Sequence, residues 1–575
     1  MINSLFLLAA ALLVFVFGYR FFAKFLSLGV FRLTDNYSTP ARAFRDSIPS
    51  TDPERQDFGA CNRHLAFGHH VASLAVGATL SGVGLALFWG WIPAFLWIVV
   101  GSTVVAGSIG IGSLWLAARQ PGAGLATQAS NLIVRQARLP FFVLLAVVLV
   151  AVNAFCALLA AQLLVAHPVI VWAFLLHLAL AFGLGAFLKG RADFEILPAS
   201  LIIVLLTLLA LWALRLVPFT ISGGVDVALG AHAVLTLDAV VAWSLVVLLI
   251  AYRAARLPLA QFARPQGFLA ALLLGLMLIA LTVALLVRAP EVTAPGFHAP
   301  EGAPGVLPWL FLVVSAGALG GWHALVASTT TVRQLDRDTD ARYLGYGGAL
   351  ADGALALAAL LVAAVGTAGL DVWLARHETW PERLDPAGLI NQFVAGAGTL
   401  VQGIGVSADL MRAVVALALA AASVTTLVTG LRAQRYLLAE IGAARGIAGL
   451  RRERPALKLS IVVIALVLLA DGRGRGAFAL WPLFGSAHLL LTALVLLLLV
   501  LALKRHAQPP ALVAAPLIGL MGIGLWALGA QFIAWWQAGQ WPALAAGLTL
   551  LGLAAWLLAH GVKTLRSAAH AGRQA

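Results

Sequence analysis

Apolar runs of roughly 18–25 residues recur along almost the whole chain, and each is long enough to cross a bilayer as a helix. Short polar stretches rich in Arg and Lys separate them. The pattern predicts an all-α polytopic membrane protein with about fifteen spans. In chain order they fall at about 2–19, 68–90, 94–118, 140–165, 169–188, 195–217, 234–251, 267–288, 307–328, 343–370, 411–432, 459–470, 479–503, 511–535 and 542–560. The segment 388–407 is apolar but interrupted by glycines and Gln402. It reads as re-entrant or interfacial, because a full crossing would put the basic loop from Arg435 to Lys458 outside. The first run, Leu5 to Phe17, lacks a basic leader and a clear cleavage site, so it is expected to be a retained helix.

Positive charge sets the sides of the membrane. Arg20, Lys24, Arg32, Arg42, Arg45, Arg55 and Arg63 follow the first run, which places that long loop in the cytoplasm and the N-terminus outside. Arg119, Arg135 and Arg138, then Lys189 and Arg191, then Arg253, Arg256 and Arg264, bring later loops to the same side. Lys504 and Arg505, and finally Lys563 and Arg566, put the C-terminus inside. The loops near Asp226 and His232, and near Glu291 and His298, fall outside, while Arg473 and Arg475 break the rule.

The 575 residues are 62% hydrophobic and 10% charged, with mean hydropathy +0.98. A net charge of +14 would suit nucleic acid, but these charges sit in short loops between spans, so no nucleic-acid partner is expected. Cys61 and Cys156 make neither a disulfide framework nor a thiolate metal site. Histidines lack partners at metal spacing, so no metal or organic cofactor is expected. There is no nucleophile–base pair and no nucleotide loop, so the chain does not read as an enzyme.

The stretch from Ser315 to Gly348 carries the densest signal. Glycines at 317, 320 and 321 interrupt an apolar run that leads into Ser328-Thr329-Thr330-Thr331 and a charged turn with Arg333, Asp336, Arg337, Asp338, Asp340 and Arg342. Two readings stand side by side: a broken helix that builds a midplane site, or a small-residue face for helix packing. The second span carries Gly77, Gly82 and Gly84, and it runs opposite to the ninth. Gly-interrupted segments at matching places in two halves point to an inverted repeat of five spans each, 68–217 and 307–503. Residues 1–67 are then an N-terminal helix and loop, 218–306 a two-helix insertion, and 504–575 a C-terminal helix pair.

Five motifs carry a family resemblance. They are Phe67-Gly68-His69-His70, Gly90-Trp91-Ile92-Pro93, Gly320-Gly321-Trp322-His323-Ala324-Leu325, the run from Thr339-Asp340-Ala341-Arg342 to Gly345-Tyr346-Gly347, and Trp481-Pro482-Leu483-Phe484-Gly485. In this order they resemble the carbon starvation protein A family, over roughly residues 20–505. The resemblance implies a secondary transporter of peptides or pyruvate in a bacterial inner membrane. It also implies a core related to the amino acid–polyamine–organocation transporters, the LeuT-like fold. The chain departs from the family at several places. It has Thr79-Leu80 where Gly-Pro is usual, Gly110-Ile111 where Gln-Asp is usual and Val428 where an acid is usual. It also has Gly320 in place of Ser, and His488-Leu489 in place of Asn-Gln.

The remaining intramembrane polar groups define the candidate site. Gly77, Ala78, Thr79, Gly320, Gly321 and His323 are the candidates for substrate. Ser423, Thr425, Thr426 and Asp352 are the candidates for the coupling ion, sodium or a proton. The hydroxyls could equally bond their own helix, and Asp352 could pair with a nearby Arg. His69 and His70 are candidate gate residues or interfacial caps. The turn with Asp340 and Arg342 reads as a salt-bridged gate or hinge. His488 is open to a functional or a packing role, and Asp193 and Glu195 suit a helix N-terminus. The expected function is import of a small carboxylate or short peptide coupled to H+ or Na+. The alternative is a non-transporting scaffold or sensor subunit on the same fold. The expected partners are the lipid bilayer and the substrate, with a further membrane protein or a second copy left open.

Overall fold

The computed structural model describes residues 2–45, 57–74, 76–189, 191, 195–221, 224–228, 234–315, 320–365, 369–381, 385–470 and 480–574. Of the residues named so far, Arg55, Asp193, His232, Gly317, Arg473 and Arg475 lie outside them. Helices dominate: α1 (Ser4–Val30), α2 (Pro40–Arg45), α3 (Arg63–Ala72), α4 (Val76–Ala86), α5 (Trp91–Arg119), α6 (Leu125–Leu132), α7 (Arg138–Ala166), α8 (Val171–Phe187) and α9 (Ile196–Leu214). A small antiparallel hairpin follows, β1 (Gly224–Ala228) and β2 (Val234–Asp238), with Asp226 opposite Thr236. Then come α10 (Ala239–Ala255), α11 (Ala263–Arg288), α12 (Val306–Ser315), α13 (Gly321–Val326), α14 (Gly347–Val365), α15 (Leu370–His377), α16 (Pro386–Gln402), α17 (Ala408–Arg445), α18 (Glu453–Leu469), α19 (Trp481–Arg505), α20 (Ala511–Gln537) and α21 (Trp541–Gln574).

Among the described residues eleven helices are long and apolar enough to cross a membrane, or twelve if the bent pair α3–α4 counts as one span. The chain is therefore a multi-pass membrane protein. The other apolar segments of the sequence are shorter or broken here: α10 and α18 have 17 residues each, and the ninth segment divides into α12 and α13. Burial separates centre from rim. The spanning windows of α17 and α19 are wholly buried, whereas those of α9 and α21 are 22% buried. On α9 the exposed side chains Leu201, Leu205, Leu209 and Trp212 recur at helical spacing and make one apolar face, as suits contact with lipid tails.

Local chemistry sets several helix ends. Asn3, Asn62, Asp238 and Ser407 each accept a bond from a first-turn N–H with the side-chain oxygen. Gly446, at φ 71°, closes α17 in the left-handed conformation that glycine adopts freely.

The loops sort into two faces. On one, the 31–62 segment binds the charged turn: Gly59 N–H donates to Arg333 O at 2.9 Å and Thr39 Oγ1 to Leu335 O at 2.6 Å. Arg505 joins the same face through Asn131 O. On the other, Ser4 N–H donates to Pro290 O, Trp91 N–H to Pro295 O and Trp380 N–H to Glu301 O. Both ends of α16 lie on this second face, because Trp380 precedes it there and Thr399 O and Leu400 O accept from Arg288. An unbroken 17-residue helix with both ends on one face lies along that face.

Helix α17 has 38 residues, about 57 Å at ~1.5 Å per residue, well over the roughly 30 Å hydrocarbon core. Its last turns stand beyond the core and carry a buried ion cluster. Asp57 accepts from Arg432 at 2.9 and 3.1 Å, from Arg435, from the Tyr436 hydroxyl and from the Leu259 backbone N–H at 3.1 Å. Arg432 also donates to Ala254 O and Leu257 O. One carboxylate thus ties the first loop, the α10–α11 loop and α17 together. Burial alone would raise the Asp57 carboxyl. Arg432, Arg435, the Tyr436 hydroxyl and Arg333 together outweigh it and hold the group at about 2, below the ordinary 3.8.

A depressed carboxyl adds stability that is present above the unfolded value and lost as pH falls through the folded one. Asp57→Asn should therefore cost on the order of 3 kcal/mol at neutral pH, because two guanidiniums lose their counter-charge. The gap to wild type should narrow as pH drops from about 4 toward 2. Denaturant unfolding of the purified protein in detergent across that range measures both.

Candidate functional site

The site is built where two spans break. Helices α3 and α4 meet at a 51° bend after Ala72. Around this break, polar side chains from other helices take up the freed carbonyls. Thr426 Oγ1 donates to Ala72 O at 3.2 Å, and the Trp322 indole N–H donates to Ser73 O at 2.8 Å. Ser73 Oγ bonds His69 O at 2.6 Å and pairs with Thr429 Oγ1 at 2.9 Å. In the low dielectric of a membrane such carbonyls must find protein partners, and here side chains of α13 and α17 provide them.

The second break lies between α12 and α13, with Gly320 in a non-helical conformation at φ −161°, ψ −132°. The N–H groups that open α13 are capped from α19. Gly321 N–H donates to Thr492 Oγ1 at 2.8 Å and Trp322 N–H to His488 Nε2 at 2.9 Å. This assigns His488 a capping role. The caps require glycine. A Cβ on Gly320 would fall 2.1 Å from Thr492 Oγ1, and one on Gly321 would fall 2.6 Å from the Leu491 side chain. The helix break and the small-residue packing face, alternatives on sequence grounds, therefore occupy the same residues. The two broken spans touch at Gly82, where a Cβ would meet Val313 O at 2.2 Å.

Past the second break the chain delivers His323 to the core. His323 Nε2 lies 3.1 Å from Asp352 Oδ2, and Thr79 Oγ1 donates to Asp352 Oδ1 at 2.9 Å. All three side chains are fully or almost fully buried. One residue comes from each of α13, α14 and α4, so both broken spans contribute. His70, on α3, binds Thr331 Oγ1 at 2.8 Å through Nδ1, and its ring centre lies 6.4 Å from that of His323. His69 faces another way, toward Gln334 at 2.9 Å and Thr429 at 3.5 Å, with Arg264 held behind Gln334 at 3.1 Å. Both histidines are buried in the bundle.

Other candidates are placed elsewhere. Gly77 faces Leu159 and Phe155, so its missing side chain makes an apolar contact with α7, and Ala78 is buried beside it. Ser423 and Thr425 bond Leu419 O and Ala421 O of their own helix. Thr426 divides its hydroxyl between Ala422 O and the first break. In the charged turn the ion pairs run outward: Arg42 to Asp336 at 2.8 Å, and Arg119 to Asp338 through both nitrogens at 3.1 Å. Arg342 donates to Tyr19 O and lies over the Tyr19 ring. Asp340 is buried, and burial raises its carboxyl. Sequence reasoning passes over Ser73, Thr429, Gln334 and Thr492. Thr492 stands one helical turn after His488, a spacing that could have revealed it.

A family model described as carbon starvation protein CstA matches residues 3–379 and 375–527. The peptide transporter CstA of Mycobacterium tuberculosis (strain ATCC 25618 / H37Rv) is 28% identical over 374 residues, 63% of this chain and 47% of its own length. The pyruvate/proton symporter BtsT of Escherichia coli (strain K12) is 26% identical over 385 residues, 64% of this chain and 50% of its own. The chain thus spans about half the length of these two relatives. The peptide transporter CstA of the same E. coli strain is 25% identical over 569 residues, 88% of this chain and 77% of its own.

The capped break makes a direct prediction. Thr492→Val leaves the buried Gly321 N–H without an acceptor and should cost about 1–3 kcal/mol. Thr492→Ser keeps the oxygen and should stay near wild type. Thermal unfolding of the two variants in the same detergent checks the difference.

Proposed function

This chain belongs to the carbon starvation protein CstA family, and from that premise we propose that it is a secondary transporter that imports a small carboxylate of the pyruvate kind, or a short peptide, with a proton. The observation that carries the reading is the buried Thr79–Asp352–His323 cluster between two broken spans. A lone intramembrane carboxylate is expensive, and its presence is a functional signature by default. Asp352 and His323 together are neutral only while they share one proton. Loss of that proton in the closed core would leave an uncompensated charge. The proton is therefore tied to the buried pair and must be carried out of the core to be released.

A proton is favoured over sodium by the use of the hydroxyls. Sodium needs several free oxygens, and Ser423 and Thr425 bond carbonyls of their own helix. For the substrate, the α4 N-terminus beside the first break offers N–H groups and the positive end of a helix dipole, which suit a carboxylate. The first N–H groups of α13 are engaged by Thr492 and His488. Trp322 lies between the breaks and would form one wall of the space. The two breaks, in spans of opposite direction, fit the inverted five-plus-five repeat. The face that carries the 31–62 loop and the charged turn is then cytoplasmic, in a bacterial inner membrane.

Purified protein in liposomes tests this with labelled pyruvate and dialanine under an inward acid gradient. Wild type should accumulate one of them. Asp352→Asn should keep substrate exchange at equal pH yet lose gradient-driven accumulation by roughly tenfold or more. Accumulation at the wild-type level in that variant would sink the proton site. A reporter fused after Ala575 should read cytoplasmic, and a periplasmic reading would reverse the orientation.

A further inference from the structure

Two ring nitrogens stand out in the core. His323 Nδ1 and His70 Nε2 are buried and have no hydrogen-bond partner among the described residues. Each belongs to a ring whose other nitrogen is committed: His323 Nε2 to Asp352 at 3.1 Å, and His70 Nδ1 to Thr331 Oγ1 at 2.8 Å. The rings meet edge-on at 64° with centres 6.4 Å apart. They do not bond each other directly, and the separation is one that a single small hydrogen-bonding molecule spans. An unpaired buried imidazole nitrogen costs free energy, and two of them on neighbouring rings share one remedy.

Glycine lets the His70 ring lie close against α14. A Cβ on Gly348 would lie 2.8 Å from His70 Nε2. Gly348 stands one helical turn before Asp352 on α14, on the same side of that helix. The edge of His70 therefore looks at the stripe of α14 that ends in the carboxylate. On its other side His70 reaches Thr331, at the end of the segment that opens into the charged turn on the basic face.

We infer that His70 and His323, bridged by one water, form a proton relay between Asp352 and the basic face. This rests on the proton-coupled reading above and adds the route by which the proton leaves. The Asp352 carboxyl O–H gives its proton to His323 Nε2, and His323 Nδ1–H gives one to the water. The water gives one to His70 Nε2, and His70 Nδ1–H gives one to Thr331 Oγ1 and on to water at the face. At each step one N–H or O–H bond forms as one breaks, and the tautomers reset by the reverse hops when the site reloads. The groups that face this path are Asp352 and His323 from α14 and α13 and the neighbouring His69. Beyond them lie Arg264 and Arg432, which bear on His69 from α11 and α17.

The test follows the protonation of Asp352 itself and needs no substrate. In nanodiscs, time-resolved infrared after a pH jump reads the protonated-carboxyl stretch of Asp352, assigned by its loss in Asp352→Asn. His70→Gln should slow proton release by roughly tenfold or more, with the titration midpoint moved by less than about one unit. Gly348→Ala, which pushes a methyl against the same ring edge, should do likewise and serves if His70→Gln does not fold. Unchanged release in whichever of these folds overturns the relay but leaves the proton site standing. A rate that merely follows a midpoint shifted by more than about one unit also overturns it, because that is a structural effect. If the Asp352 band of wild type does not respond to the pH jump, the proton-carrier reading fails and the relay falls with it.

Discussion

A helix that breaks inside a membrane must still pair every backbone N–H and C=O, because the bilayer core has no water to do it. That constraint organises this protein. Thr426 and Trp322 satisfy the carbonyls at the first break, and Thr492 and His488 satisfy the amides at the second. Trp322 serves both, donating its indole N–H to one break while its backbone N–H is capped at the other. The two breaks are therefore one connected polar structure held by α17 and α19, the two helices whose spanning windows are wholly buried. Moving one break disturbs bonds to the other.

Two buried aspartates show how environment divides labour. Asp57 is surrounded by Arg432, Arg435 and Tyr436 and is held ionised, so it serves as a fixed tie. Asp352 has only a hydroxyl and one imidazole, a partner whose own charge depends on a proton. The ionised tie is buried between the first loop, the α10–α11 loop and α17, and the second carboxylate lies between the two broken spans.

Much of this is legible in the amino-acid sequence. The apolar runs locate the long helices, and Gly320 marks the second break, whereas the first opens after Ala72, and Gly77, Gly82 and Gly84 lie inside α4. His323, Asp352 and Thr79 each stand out as polar groups in apolar surroundings, but no sequence spacing joins residues 79, 323 and 352, and only the packing of α4, α13 and α14 does. Span lengths are less legible. Helix α1 runs on to Val30 through Arg20 and Lys24, since charged side chains with long stems can stay helical at an interface. The hydroxyls mislead for a physical reason. Ser423 and Thr425 spend their protons on their own helix, whereas Thr429 and Thr492, about one turn from Thr426 and His488, face the breaks.

The departures from the family pattern make sense in pairs. Gly320 stands where serine is usual, and Thr492 Oγ1 lies where a Cβ on Gly320 would intrude. That Thr492 hydroxyl caps the helix. Gly110 stands where Gln is usual, and it lies backbone to backbone against Gly345, with a Cβ only 2.3 Å from the Gly345 carbonyl oxygen. No longer residue fits there unless α5 and the start of α14 separate. The two glycines let these backbones pack closely. The buried polar cluster consists of Thr79, Asp352 and His323, with the caps from α19 beside it, and two imidazole nitrogens on neighbouring rings have no partner among the described residues.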